Sequence, residues 1–179
     1  MPFTGHELQH IRNFVENGGS ALVIMQEGGE TRLETNINAF LEQVGISVNS
    51  DSVIRKHFYK YLHPKEAFIG NGILNKELVR VANGEAKQQV TKSGKYAKRY
   101  QNKDELVERD ENGGLRFVYP YGATLNVNRP AVPMLSSGPI SFPANRPIGA
   151  FYMSPRKGKL FVMGSMKFFH DDFFEKEDN

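Results

Sequence analysis

The stretch ALVIMQEGGETRLETNINAFLEQVGISV, residues 21–48, decides the fold class. It opens with an unbroken apolar run at residues 21–25, continues through a polar loop, and then places apolar residues at helical spacing up to Gly45. The apolar run lacks the alternation of a strand with one face in water, so it predicts a strand buried on both faces, as in a parallel sheet. Residues 46–48 predict another short strand. This order of strand, loop, helix and strand indicates an α/β domain.

A helix is predicted just before the apolar run. Thr4 and Glu7 have the spacing of a capping box, in which each side chain satisfies a free amide at the start of a helix. One apolar face follows, formed by Leu8, Ile11 and Val15. The helix and the strand after it extend the α/β pattern towards the amino terminus.

The pattern becomes β-rich from residue 115 onwards. Short apolar runs alternate there with proline and glycine, and the prolines favour edge strands or irregular segments because they cannot donate to a ladder. Residues 154–159, SPRKGK, predict a hairpin turn between strands at 148–152 and 160–163. The aromatic residues at 168–174 have a spacing that predicts one short amphipathic helix. The carboxyl-terminal half is therefore expected to be mostly β.

Length and composition predict a single domain over residues 1–179 with one irregular insertion. Residues 84–114 hold many charges, few large aliphatic side chains and glycines at both ends, which predicts an exposed, mobile segment. Before it, Asn75 is positioned to cap a short helix. The 179 residues are enough to bury a core of ordinary size.

Composition excludes several classes of site. The chain has no cysteine, which removes disulfides, thiolate nucleophiles and cysteine-based metal sites. Its net charge is only +3, with no dense basic stripe, so the pI near 9.0 does not indicate nucleic acid binding. The first ten residues have no signal-peptide pattern, and no apolar run approaches the roughly 20 residues that span a bilayer. We expect a soluble, cytoplasmic protein with no membrane insertion.

The loop after the apolar run is the candidate ligand or partner site. A strand-to-helix turn of this kind lies where open α/β sheets bind ligands, and glycines let the backbone approach a ligand. The other interpretation is a well-made turn, in which the glycines supply geometry and Thr35 or Asn36 caps the following helix. The loop has no phosphate-binding motif, and its acids disfavour phosphate, although they are compatible with a sugar. The candidate residues are Glu27, Gly28, Gly29, Glu30, Thr35 and Asn36.

Catalytic and metal-binding patterns are not found. Glu27 and Glu30 lie close together on one loop, so they do not form the facing carboxylates of a glycosidase, and we interpret them as turn acids on a solvated loop. Ser165 lacks the second glycine of a nucleophile elbow. His6 and His10 have a ligand spacing without a third ligand, which is more typical of surface residues. We predict no catalytic site, no metal and no cofactor.

The middle of the chain contains a basic and aromatic run and a His-Pro pair. The basic and aromatic run at residues 55–65 superficially suits single-stranded nucleic acid, but its alternating aromatics are more typical of a strand with one face in the core. Within it, His63 before Pro64 predicts a tight turn in which the ring packs or hydrogen-bonds internally. We expect no nucleic acid partner.

Four segments together resemble a known family. They are EGGETRLETNINAFLEQVGISVNSDSVIR at residues 27–55, YKYLHPKEAFIGNGILNKE at 59–77, FVYPYGATLNVNRPAVPMLSSG at 117–138 and FPANRPIGAFY at 142–152. This series is similar to the amino-terminal domain of the intraflagellar transport protein 52 family, whose members belong to complex B of the ciliary transport trains. The similarity runs in order along nearly the whole chain and is interrupted at residues 84–114.

The resemblance implies both a fold and a role. The fold would be Rossmann-like and similar to glutamine amidotransferases, a sheet flanked by helices, here lacking the first strand, helix and strand of the family. An amidotransferase would need a nucleophilic cysteine, and this chain has none. The implied role is non-catalytic: a fragment of a longer structural subunit that binds other complex B subunits and serves cilium assembly, in the cilium or flagellum and in the cytoplasm near the ciliary base. The alternative is a carbohydrate-binding or degenerate enzyme-like module that uses residues 26–38.

Overall fold

The computed structural model describes residues 2–57, 63–75 and 116–174. Three predictions lie outside these ranges: the insertion at 84–114, the helix after Asn75, and the aromatic alternation within 58–61. Within them, no helix is long and apolar enough to cross a membrane.

Four short α-helices are described. They are α1 at Gly5–Glu16, α2 at Gly29–Leu33, α3 at Asn38–Leu41 and α4 at Asp171–Phe174. The capping box that begins α1 is confirmed, because the Thr4 amide donates to Glu7 Oε2 at 2.7 Å and the Glu7 amide donates to Thr4 Oγ1 at 3.3 Å. These hydrogen bonds hold the pKa of the Glu7 carboxyl below its ordinary value.

The predicted helix before Gly45 is found as two pieces. Helix α3 passes directly into a 3₁₀ turn at Glu42–Val44, which ends where Gly45 adopts a φ of 85°. Helix α2 was not predicted, because its five residues lie within the loop and carry no apolar period of their own.

Ten strands are described, and most lie where the apolar runs predicted them. They are β1 Ser20–Ile24, β2 Ile46–Val48, β3 Ile54–Arg55, β4 Glu66–Gly70, β5 Arg116–Pro120, β6 Leu125–Val127, β7 Val132–Ser136, β8 Ser141–Phe142, β9 Pro147–Met153 and β10 Lys159–Met163. The predicted hairpin is confirmed, since β9 and β10 pair antiparallel across the turn at residues 154–158.

The central sheet is mixed rather than wholly parallel. Its order is β1-β10-β9-β7, with β1 parallel to β10 and the other two pairs antiparallel. The described residues also form three separate antiparallel pairs: β2 with β6, β3 with β8, and β4 with β5. The described part of the chain is therefore a mixed α/β fold that contains one four-stranded sheet.

The prediction that residues 21–25 are buried on both faces is wrong. Ala21 and Val23 pack against the main core, but Leu22 on the other face has 54% of its surface exposed. In the described part of the chain, β1 pairs only with β10 and so ends the sheet. An apolar run reports the preference of its residues for burial, whereas a second covering layer depends on the rest of the fold.

Two hydrophobic clusters lie against the sheet. The larger joins α1 and α3 to one sheet face, with Val15, Phe40 and Leu160 almost fully buried. The smaller surrounds Tyr119 and Met163. Its buried residues come from β4, β5, the ends of β9 and β10, and Val53 just before β3, so it packs the pair of β4 and β5 against the central sheet.

The prediction of one amphipathic helix over residues 168–174 is also wrong. A 3₁₀ turn at Lys167–Phe169 is separated from α4 by His170, whose backbone is extended. Phe168 packs edge-on against Phe117 with 5.7 Å between ring centroids, while 48% of the surface of Phe169 is exposed. The break lets Phe168 enter the smaller cluster, a tertiary contact that the spacing of the aromatics did not reveal.

Candidate functional site

The candidate loop lies at the carboxyl ends of the two parallel strands. Strand β1 ends at Ile24 and β10 at Met163, so the loop after β1 and the chain after β10 start at the same edge of the sheet. Gly28 and Gly29 have φ values of 77° and 53°, which confirms that they supply turn geometry. A β-carbon on Gly29 would lie 2.6 Å from the Asn49 carbonyl oxygen, so the loop also packs closely on the segment after β2.

Glu27 is buried and bound by groups from three segments. Only 6% of its side chain is exposed; Oε2 is 2.6 Å from Lys65 Nζ and accepts a 2.9 Å hydrogen bond from the Ser52 hydroxyl. Oε1 accepts a hydrogen bond from the Arg32 guanidinium. The interpretation of Glu27 as a solvated turn acid is therefore wrong. Its carboxylate joins the loop to the segment after β2 and to the turn before β4.

The environment of Glu27 favours its ionised form. Burial alone would raise the pKa of the carboxyl, but hydrogen bonds from Lys65, Ser52 and Arg32 outweigh it and lower the pKa below the ordinary value of 4.5. A carboxylate so held is a poor general acid or base near neutral pH, since its proton affinity is reduced and its lone pairs are occupied.

Glu30, Thr35 and Asn36 bond within the chain as well. Glu30 Oε1 accepts a 2.6 Å hydrogen bond from the Asn38 amide, and the Thr35 amide donates to the Glu30 carbonyl at 3.3 Å. Asn36 exchanges two hydrogen bonds with the backbone of Phe3, at 2.7 and 2.8 Å. The prediction that Thr35 or Asn36 caps the next helix is wrong: no side chain of the N-cap residue bonds to α3, and the Glu30 carboxylate takes that role from eight residues away.

Asn38 attaches the same loop to β2. Its side-chain amide donates to the Val48 carbonyl at 3.0 Å, and its oxygen accepts from the Val48 amide at 2.9 Å. The side chain thus extends the edge of β2 as a strand residue would.

Replacing Asn38 with alanine is expected to lower the free energy of unfolding by about 1–2 kcal/mol, because two backbone groups of Val48 lose their partner. Denaturant unfolding followed by circular dichroism measures this change. Asn128→Ala, at an exposed position, is the matched control and should stay within about 0.5 kcal/mol of the wild type. Equal effects of the two variants would contradict this role for Asn38.

The floor of the loop is a polar network that the sequence did not reveal. Asp51 accepts a 2.7 Å hydrogen bond from the Thr124 amide and a 2.6 Å bond from its hydroxyl, and the Asp51 carbonyl accepts from the Gly28 amide at 2.8 Å. Asn49 donates to the Thr124 hydroxyl at 2.8 Å. Thr124 is more than 70 positions from both Asn49 and Asp51, so no local motif could indicate these contacts.

An aromatic and basic group flanks Glu27. Tyr121 has a φ of 49°. Its carbonyl accepts a 2.9 Å hydrogen bond from the Glu27 amide, and its amide donates a 2.8 Å hydrogen bond to the Lys65 carbonyl. Its ring lies 5.0 Å from the ring of His63, and Lys167 Nζ lies 4.0 Å from the ring centroid. The predicted internal role of His63 is confirmed, because Nδ1 also accepts from the Lys65 amide at 3.1 Å.

Other residues with chemical potential lie apart from the loop or are occupied. Ser165 is fully buried, donates to the Pro120 carbonyl and accepts from the Phe168 amide at 3.2 Å. His6 and His10 contact each other with 4.4 Å between ring centroids, on the exposed side of α1. Across residues 2–57, 63–75 and 116–174, no three histidine or acidic side chains are grouped as a metal site.

These features define a class of protein: an α/β domain with a mixed sheet, whose polar loop is bound to its own chain. The chain belongs to the family described as IFT52 GIFT domain, which matches residues 1–179.

Relatives of known sequence and structure agree with this assignment. The chain is 45% identical over 179 residues to the intraflagellar transport protein 52 homolog of Mus musculus and 44% identical over 178 residues to that of Homo sapiens. It covers 39% and 38% of the lengths of those relatives, and 99% of the chain is aligned in each case. The solved structure titled mmIFT52 N-terminal domain matches with a TM-score of 0.77 and 42% identity, over 99% of this chain and 67% of that one.

Proposed function

We propose that this protein is a non-catalytic structural component of intraflagellar transport complex B, acting in cilium assembly through protein–protein contacts. The observation that carries the proposal is its membership of the IFT52 GIFT domain family over the whole chain, together with 44–45% identity to two proteins named for intraflagellar transport. Its partners would be other complex B subunits. It would act in the cilium or flagellum and in the cytoplasm near the ciliary base.

The bonding of the candidate loop supports a non-catalytic role. Glu27 is held ionised by three donors, and Glu30 and Asn36 bond to backbone amides, so these side chains stabilise the fold. Free polar groups are what an enzyme or a sugar-binding site would present to its ligand. The role that fits the loop best is therefore structural: it connects the segments at the carboxyl edge of the sheet.

The Rossmann-like and amidotransferase-like description of the fold is part of the same proposal. The parallel pairing of β1 with β10 and the helix between the capping box and β1 support it. The antiparallel β9 and β7 extend this sheet beyond the parallel core such folds share.

Disruption of the gene in a ciliated cell tests the function. We expect cilia that are absent or strongly shortened, and their recovery when the wild-type gene is returned. Normal cilia in cells verified to lack the protein would contradict the proposal.

Calorimetry tests the alternative of a sugar ligand. We expect no heat of binding from mono- and disaccharides up to millimolar concentration, since the loop side chains are already bonded. Binding that is lost in Asn36→Ala would contradict this expectation and favour a carbohydrate-binding module.

A further inference from the structure

We propose that His6 and His10 of α1 together bind a divalent transition-metal ion of the kind that imidazole nitrogens prefer, Zn²⁺ or Cu²⁺. The sequence predicts no metal here because the pair lacks a third ligand, but in the structure the two rings contact each other. The inference goes beyond the proposed function and does not depend on it.

The period of the helix places both histidines on the exposed side of α1. Residues four apart are separated by about 40° around the helix axis and about 6 Å along it, so their side chains are neighbours. Leu8 lies between them in sequence, about 160° around the axis from either one, and is buried in the main core. The two rings are therefore on the side of the helix away from the core, and both are exposed.

The distance between the two rings is close to that of two ligands of one ion. A bond from zinc to an imidazole nitrogen is about 2.0–2.1 Å long. With an angle of about 90–110° between the two bonds, the ring centroids of two imidazoles on one ion lie roughly 4.5–5.2 Å apart. The centroids of His6 and His10 are 4.4 Å apart, so small side-chain rotations bring a nitrogen of each ring to the same ion.

The backbone that carries the histidines is held in place by its neighbours. The capping box of Thr4 and Glu7 closes the first turn of α1 around His6. Phe3, just before this turn, exchanges two hydrogen bonds with Asn36 of the candidate loop. Binding of an ion therefore has to order two side chains and not the backbone, which lowers its entropic cost.

The surroundings of the pair define the kind of site. Hydrogen bonds from Thr4 lower the pKa of the Glu7 carboxyl, so it is ionised at neutral pH and adds a negative charge in the turn that holds His6. Across residues 2–57, 63–75 and 116–174, no third histidine or acidic side chain joins the pair as a ligand group. Water would complete the coordination, which predicts weaker binding than at a structural zinc site with four protein ligands.

Calorimetric titration of the full chain with Zn²⁺ or Cu²⁺ alone tests the site. We expect His6→Gln and His10→Gln each to weaken binding about ten-fold or more, because each leaves a single imidazole. His170→Gln, at an exposed position outside α1, is the matched control and should change the affinity less than about two-fold. Cu²⁺ should bind more tightly than Zn²⁺, following the usual order of affinities for nitrogen ligands.

A double variant tests the spacing. His10→Gln combined with Asn13→His keeps two histidines on α1 but separates them by seven residues, roughly 10 Å along the axis, which is too far to share one ion. Asn13 is exposed, so the exchange should leave the fold intact, and circular dichroism verifies this for each variant. We expect this variant to bind as weakly as His10→Gln, and wild-type affinity in it would overturn the proposal.

Nuclear magnetic resonance of the nitrogen-labelled histidine rings identifies the ligands directly. We expect the signals of His6 and His10 to shift together as Zn²⁺ is added, and Zn²⁺ to raise the unfolding temperature of the wild type more than that of His10→Gln. The absence of binding, equal weakening by His170→Gln, wild-type affinity in both single variants, or shifts confined to other histidines would overturn the proposal.

Discussion

Replacing Glu27 with alanine is expected to lower the free energy of unfolding by about 2–3 kcal/mol, measured by denaturant unfolding at pH 7. The change leaves Lys65 and Arg32 facing one another without their shared carboxylate, and it leaves the Ser52 hydroxyl without its acceptor. Removing one partner of a fully buried ion pair costs about 3–5 kcal/mol. The effect here is smaller because the Lys65 and Arg32 side chains keep 38% and 54% of their surface in solvent.

The pH dependence of this effect has a defined sign. The folded-state pKa of Glu27 is lowered from 4.5, so its contribution is fully present above the unfolded-state pKa and is lost as the pH falls through the folded-state pKa. The difference between the wild type and Glu27→Gln should therefore be constant from about pH 6 to 8 and shrink below about pH 4. Asn128→Ala, at an exposed position without an ionisable side chain, is the control, and its difference from the wild type should not change with pH. A difference that grew on acidification would contradict the role of the carboxylate.

Replacing Gly158 with alanine is expected to lower the free energy of unfolding by about 3 kcal/mol. An added β-carbon would lie 1.7 Å from the Val15 carbonyl oxygen, and a backbone atom cannot rotate away as a side chain can. Hydrogen bonds also fix the position of Gly158. Its amide donates to Ser154 Oγ at 2.9 Å, and Ser154 Oγ donates to the same Val15 carbonyl at 3.2 Å. The hairpin turn and the end of α1 must therefore separate.

Gly70→Ala is the matched control for that experiment. Gly70 lies in β4, and an added β-carbon there meets no atom within 4 Å. We expect its stability to equal or slightly exceed that of the wild type, because alanine loses less backbone freedom on folding than glycine. Thermal and denaturant unfolding of both variants measure the difference. Similar stabilities of Gly158→Ala and Gly70→Ala would contradict the close packing of the turn on α1.

Features determined by neighbouring residues could be predicted from the sequence. The capping box of Thr4 and Glu7, the stop at Gly45 and the hairpin at residues 154–158 all depend on groups within a few positions of one another. Such groups constrain the backbone in any context, so their patterns carry over to the fold.

Features determined by distant contacts could not be predicted. Glu27 has the sequence context of a turn acid, and its burial depends on Lys65 and Ser52 reaching it from other segments. The sequence HPKE at residues 63–66 predicts the turn that contains Lys65, but nothing in it indicates which acid the lysine contacts. The exposure of Leu22 likewise depends on whether a second layer covers its side of β1, which the apolar run does not encode.

The side chains of the candidate loop connect segments of the chain, since Glu27, Glu30 and Asn36 are bonded to groups outside their own positions. The loop fixes the carboxyl edge of the sheet, because Glu27 joins it to Ser52 and Lys65 of two other segments.

Affinity purification of the tagged full-length protein from ciliated cells tests the central claim most directly. Subunits of intraflagellar transport complex B should be recovered in amounts comparable to the protein itself and resist moderate salt. A parallel purification of an unrelated cytoplasmic protein with the same tag gives the background. Recovery of the protein without any complex B subunit above that background would contradict the claim.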